Sequence, residues 1–382
     1  RDGRGFRGAG GRGPDGGRRM SLGTNILAFI VILMFLVLVH EAGHLVVAKW
    51  CGMRVERFSI FFGRPWVRFR RGETEYGIGW LPLGGYVKIT GMTRDEDLPP
   101  EVVPRAYYAA ATWKKVATIF AGPFVNLVVA FLCFALYFWI GVPSFQATNG
   151  VDAVTPGSPA AAIGMAPGDR LLAVNGVATS GEEGMDRVRA ELQANPGAPV
   201  TVRYADDGTP VTRTVTLQSA EGPDGQPIGR LGVQFRLDQG ARQSEGPVGG
   251  LTTAGRYTWF LVEENAKGIG QLFTSEEARD QVGSVVAIGA VYNEVAGDGL
   301  TEIIRFIGLI SLVLAIFNLL PIFPLDGGHI LFALLEKLKG SPISTRVYER
   351  SAMVGWAVIL IVFVFALQND IVKLAGDGFQ IR

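Results

Sequence analysis

Three histidines occur in 382 residues, and two of them, His40 and His44, stand four positions apart with Glu41 beside the first. On a helix, residues i and i+4 project from one face, so both imidazoles can reach a single metal ion. Zinc suits neutral imidazole, and a zinc centre that does chemistry takes three protein ligands and leaves a position for water. A carboxylate next to the first histidine is placed to take a proton from that water. The surroundings are the unexpected part. VLVHEAGHLVV is apolar on both sides, and fourteen apolar residues run unbroken from Ile26 to Val39. At about 1.5 Å of rise per residue, 26–48 is long enough to cross the hydrocarbon of a bilayer. Ionisable groups at that depth are costly, and their default reading is functional.

Two histidines leave a catalytic zinc one ligand short. The best candidate for the third is Asp326, in NLLPIFPLDGGH, just beyond another apolar run. Pro321 and Pro324 break regular helix there, and Gly327 and Gly328 allow close backbone approach. Irregular backbone at membrane depth is tolerated only when buried in protein or lining a wet cavity. Asp326 also suits the N-cap of the helix that would follow. Zinc, two neutral histidines, one aspartate and a bound hydroxide sum to zero charge, which is the cheapest state for a cluster in low dielectric. His329, the third histidine, follows Asp326 by three residues; it can face the same pocket, support a ligand from behind, or simply pack.

The elements that must hold these residues read as spans and loops. Apolar runs at 26–48, 116–140, 306–325 and 351–368 each meet the length rule for a spanning helix. The segment 54–115 carries eleven Lys/Arg against seven Asp/Glu, whereas 141–301 carries eleven against nineteen. By the positive-inside rule the first is cytoplasmic and the second extracytoplasmic. Residues 1–19, rich in glycine and arginine, read as a disordered tail. Cys51 and Cys133 sit at or within apolar segments, which argues against a disulfide scaffold. Basic residues never gather into one face, so nucleic acid is not an expected partner. The sequence GVDAVTPGSPAAAIGMAPGDRLLAVNG alternates short strands with Pro-Gly turns and resembles a PDZ domain. The segment 55–89 alternates large apolar and polar residues, with Gly77, Gly79, Gly84 and Gly85 at bends. A strand edge there offers main-chain hydrogen bonds to an unwound substrate.

Together, His40-Glu41-Ala42-Gly43-His44, the run 318–328 and the PDZ-like insert resemble the site-2 protease family of intramembrane zinc metalloproteases, in its bacterial form. The resemblance implies zinc held by His40, His44 and Asp326, with Glu41 as the catalytic acid and base. It also implies that Asn318 contacts the substrate backbone, that the 51–112 β-element holds the substrate, and that Gly122 and Asn126 of AGPFVNLVVA lie near the catalytic helices. The expected fold is a polytopic α-helical membrane protein with four transmembrane helices, a membrane-associated β-hairpin element and one extracytoplasmic β-rich PDZ domain. Its expected divisions are a tail (1–19), the first span (20–50), the β loop (51–112), the second span (113–141), the PDZ domain (144–238), an amphipathic helical connector along the membrane surface (239–301), the third span with LDGG (302–338), the fourth span (350–369) and a tail (370–382). The expected setting is the inner (plasma) membrane, with the active site toward the cytoplasm. Expected partners are the lipid bilayer and single-span membrane substrates such as anti-sigma factors or signal-peptide remnants. The alternative is a non-catalytic zinc-binding scaffold that binds peptides through its PDZ domain; Glu41 argues against it, because a structural zinc has no use for a base.

Overall fold

The computed structural model describes residues 22–375 apart from 82–83, 182, 207, 223–224, 273, 276–278, 280–282 and 298. The expected tail at 1–19 and the end of the one at 370–382 lie outside the described residues. The chain forms two compact units, one from 142–243 and the other from the sequence on either side of it.

The larger unit is helical. Among the described residues, four of its helices are long and apolar enough to cross a membrane: Gly23–Trp50, Thr112–Ile140, Leu300–Asn318 and Thr345–Lys373. These lie in α1 (Leu22–Trp50), α2 (Thr112–Ile140), α7 (Leu300–Asn318) and α9 (Thr345–Ala375). The third ends at Asn318 although the apolar run continues to Leu325, because Pro321 and Pro324 cannot continue a helix. The chain turns through 319–325 and restarts as α8 (Asp326–Lys339). At Gly327 a Cβ would stand 2.2 Å from the Leu320 carbonyl oxygen. The new helix can therefore begin against the turn that precedes it only with glycine at this position.

Between α1 and α2 the chain builds a sheet of four strands, more than the expected hairpin. Its strands are β1 (Val55–Ser59), β2 (Val67–Arg71), β3 (Thr74–Ile78) and β4 (Tyr86–Ile89), in the order β2-β3-β1-β4. β1 runs parallel to β3 and antiparallel to β4. One edge is therefore β2, every residue of which is exposed, and the other is β4. The root of the sheet packs with α1 and α2 through Ala48, Met53, Val55, Ile89 and Ile119.

The region expected as a surface connector differs from that reading. Residues to Gln243 belong to a strand, and the helix that follows, α5 (Gly246–Gln271), packs on α2. Gly250 and Ala254 are small and buried, which permits close helix approach, and the Tyr257 ring meets Phe134 at 5.0 Å and Phe138 at 5.5 Å. A further helix, α6 (Val285–Val295), packs beside α1 through Tyr292 and Phe29.

The smaller unit is β-rich. Its main sheet has the order β12-β5-β6-β8-β9, with strands β5 (Val142–Val154), β6 (Arg170–Val174), β8 (Pro199–Asp206), β9 (Thr209–Thr216) and β12 (Val233–Gln243), and β7 (Val177–Ala178) pairs with β6. β10 (Gln218–Glu221) and β11 (Pro227–Arg230) form a separate ladder. Alternation along Pro199–Asp206 buries Val200, Val202 and Tyr204 in one core with Leu171, Val174, Val188 and Leu192. The turn before α3 (Pro159–Ala162) is capped by Ser158, whose side chain accepts from the Ala161 amide, and α4 (Gly184–Gln193) closes one side.

Candidate metal centre

His40 and His44 lie one turn apart on α1, and their ring centroids are 4.8 Å apart. Asp326, the first residue of α8, meets them from the other end of the sequence. Its Oδ2 is 3.0 Å from His40 Nε2 and 3.4 Å from His44 Nε2, and the two Nε2 atoms are 3.2 Å apart. The capping alternative does not describe this side chain: the N-cap is Leu325, and no side chain caps the helix.

The tautomers follow from what lies behind the rings. His44 Nδ1 is 2.9 Å from the Thr118 carbonyl oxygen, so it carries the proton and donates it there. Asn126 presents Nδ2 at 3.4 Å from His40 Nδ1, while its Oδ1 is buried without a partner. Turning the amide over lets Oδ1 accept from His40 Nδ1–H and satisfies both groups. Both Nε2 atoms then offer lone pairs to the same point as Asp326 Oδ2, itself buried without a hydrogen bond. Three electron-pair donors within 4.8 Å of one another repel unless a metal cation or a shared proton lies among them. Two imidazoles and a carboxylate match zinc.

α2 shapes the back of the cluster. A Cβ on Gly122 would stand 2.4 Å from His44 Nε2 and 2.7 Å from His40 Nε2, so any larger residue would occupy the space of the imidazoles. Ser311 of α7 donates to the Asn126 carbonyl at 2.8 Å and ties that helix to the same wall. Lower on α2, Lys115 forms a buried ion pair with Glu336 of α8 at 3.1 Å. The helix behind the histidines is thus fastened to the helix that carries the aspartate.

Glu41 stands beside the cluster and outside it. It lines a cavity of 200 Å³ with His44, Asp326, His329, Tyr86, Val87, Ile89, Met92, Ile119 and Pro324. The edge strand β4 forms one wall, and the Val87 backbone amide donates to the Glu41 carboxylate. Gly77 and Gly79 are not brought to this cavity. Gly77 is paired on both sides, with Ser59 and with Arg68, and a Cβ on Gly79 would stand 2.3 Å from the Phe62 carbonyl oxygen. Asn318 ends α7 with its amide donating to the Leu314 carbonyl at 2.9 Å. Sequence reasoning missed Thr118, whose contribution is a main-chain carbonyl, and did not say which strand of the β-element forms its edge, where YVKI after a Gly-Gly pair was the signal for β4.

The sequence matches peptidase family M50 over residues 28–362. The chain belongs to that family. A Rhizobium meliloti protein named as a zinc metalloprotease is 32% identical over 376 residues, covering 93% of this chain and 98% of that one. An Agrobacterium fabrum protein named in the same way is 33% identical over 371 residues, with 92% and 96% covered. The regulator of sigma-E protease RseP of Salmonella typhimurium is 29% identical over 453 residues, with 93% and 100% covered. Among solved structures, the PDZ domain of an SdrC-like protein from Listeria monocytogenes is 19% identical, covers 25% of this chain and 93% of its own, and has a TM-score of 0.20. As an M50 member, the protein is a metalloprotease of the site-2 protease type, and its HEAGH and LDGG segments both fall inside the matched residues.

Proposed function

We propose that this M50 peptidase holds zinc through His40, His44 and Asp326 and cleaves the membrane-spanning segments of single-span membrane proteins. One observation carries the reading: three lone-pair donors converge within 4.8 Å, two of them on a helix apolar and long enough to cross a bilayer. Bound there, zinc would activate water and polarise the scissile carbonyl. Glu41 takes the proton of the attacking water and returns it to the leaving nitrogen. Main-chain groups of β4 hold the unwound substrate. Among the described residues that strand pairs only with β1 within its sheet, so apart from the Val87 amide, which donates to Glu41, its second edge is free for strand addition beside the cavity. Asn318 serves the substrate backbone once its amide leaves the Leu314 carbonyl.

The basic excess in 54–115 supports placing the sheet and the cavity toward the cytoplasm, and the acidic excess in 141–301 supports an extracytoplasmic smaller unit. We read that unit as a PDZ domain, supported by its strand order and its GSPA and GDRLLAVNG turns. Substrates of the anti-sigma-factor or signal-peptide-remnant class fit an inner-membrane enzyme whose relatives include a regulator of sigma-E protease. The test is co-expression with a single-span substrate. Glu41→Gln should retain metal in full and abolish cleavage; a cleaving Glu41→Gln protein would refute the assignment.

A further inference from the structure

Glu41 serves as the base and His40, His44 and Asp326 as ligands, and none of them offers a hydrogen-bond donor to the oxygen of the scissile carbonyl. That oxygen gains negative charge as water adds to the carbon, and a preorganised N–H or O–H aimed at it is worth most in a site that excludes water. The N–H groups of His40 and His44 are already committed behind the cluster, to Asn126 and Thr118. The Asn318 amide is engaged with its own helix.

His329 is the remaining histidine, and the mechanism has not used it. It follows Asp326 by three residues on α8, on the same face, and lines the same cavity as Glu41 and His44. It is not one of the three converging donors. Its ring is held edge-on by Phe323 at 4.6 Å, and Phe323 is clamped in turn by Phe332 at 4.6 Å and Tyr348 at 5.5 Å. Among the described residues it makes no hydrogen bond or ion pair, so its N–H is unspent. Whichever ring nitrogen holds the proton, the imidazole has an N–H to donate.

We propose that His329 is a catalytic residue of this site, donating a hydrogen bond to the scissile carbonyl oxygen as water adds. No proton is transferred in this role. The water oxygen bonds to the carbon, the carbonyl π pair moves to the oxygen, Glu41 holds the proton, and His329 stabilises the charge until the C–N bond breaks. The inference rests on the reading of Glu41 and the zinc ligands given above.

The test uses the full chain in lipid nanodiscs with a single-span substrate and a phosphinic peptide of the same cleavage sequence as transition-state analogue. His329→Phe keeps a ring against Phe323 and removes the N–H. It should lower kcat about 10²-fold, change KM less than twofold, leave bound metal at the wild-type ratio, and weaken the phosphinic peptide by the same factor as kcat/KM. His329→Gln, which restores a donor, should recover part of the loss in both. Wild-type kcat in His329→Phe would overturn the proposal. So would a loss that follows metal content, which marks a packing role, or a fall seen in Tyr86→Phe and absent here, which would move the donor to that hydroxyl. Glu41→Gln is measured alongside: cleavage by that variant would defeat the underlying reading whatever His329 does.

Discussion

Two segments supply the three converging donor atoms, and they do it by opposite means. α1 is an uninterrupted 29-residue helix, and its regular period alone puts His40 and His44 on one face. The segment 319–328 is broken: α7 stops, the chain turns, and Asp326 arrives as the first residue of a new helix. A regular helix can offer two ligands four residues apart, but a third donor facing them must come from elsewhere. Placing one there takes a local departure from regularity, which is stabilised by small residues and by surrounding protein. The pair on α1 is therefore robust in register, whereas the aspartate depends on a backbone that many substitutions would disturb.

Substitutions can break or sharpen that contrast. Asp326→Ala should have the largest effect, with bound metal falling from about one per chain to near zero; metal analysis of purified protein decides it, and unchanged content would remove Asp326 from the ligand set. Gly327→Val comes next, since its side chain would collide with the Leu319 and Leu320 carbonyl oxygens. A cost of about 1–3 kcal/mol in stability should appear in a denaturation midpoint together with weakened metal affinity. If metal is retained at full affinity, the broken segment is more adaptable than the contrast holds. Asn126→Ala leaves both segments in place and frees His40 Nδ1. Metal affinity should drop about 10–100-fold, measured by competition with a chelator. Ser311→Ala should be the mildest, costing about 1 kcal/mol for the lost hydrogen bond with no change in metal content; a large metal loss would mean that α7 positions the centre more directly than its single bond to Asn126 implies.

Much of this was legible beforehand, for identifiable reasons. The spacing of His40 and His44 encodes their convergence, since the helical period is local. Asp326 was legible for a different reason: an acid flanked by prolines and glycines at the end of an apolar run is costly unless it has a partner. What lies behind the ligands was harder. Thr118 contributes only a main-chain carbonyl, which any residue would supply, so no side chain marks it. The sequence pattern puts Gly77 and Gly79 at bends, but which strand is the edge depends on pairing order. The parallel pairing of β1 with β3 encloses β3 and leaves β4 outermost, a non-local outcome that alternation along a single strand does not reveal. The packing of α5 on α2 was likewise hidden, because small residues at Gly250 and Ala254 mark a close contact only once the partner is known.

The smaller unit enters and leaves through neighbouring points. Val142, at its start, pairs with Gln243, at its end. On the helical side, the Ser244 hydroxyl donates to the Trp139 carbonyl at 2.5 Å and the Glu245 amide to that of Phe138 at 3.2 Å. An insert whose two ends already touch behaves as a cassette. Genetic exchange can remove, duplicate or replace it, and the helical frame closes across the scar with no gap to bridge. The smaller unit can then change on its own schedule, while the helical frame that carries His40, His44 and Asp326 stays fixed.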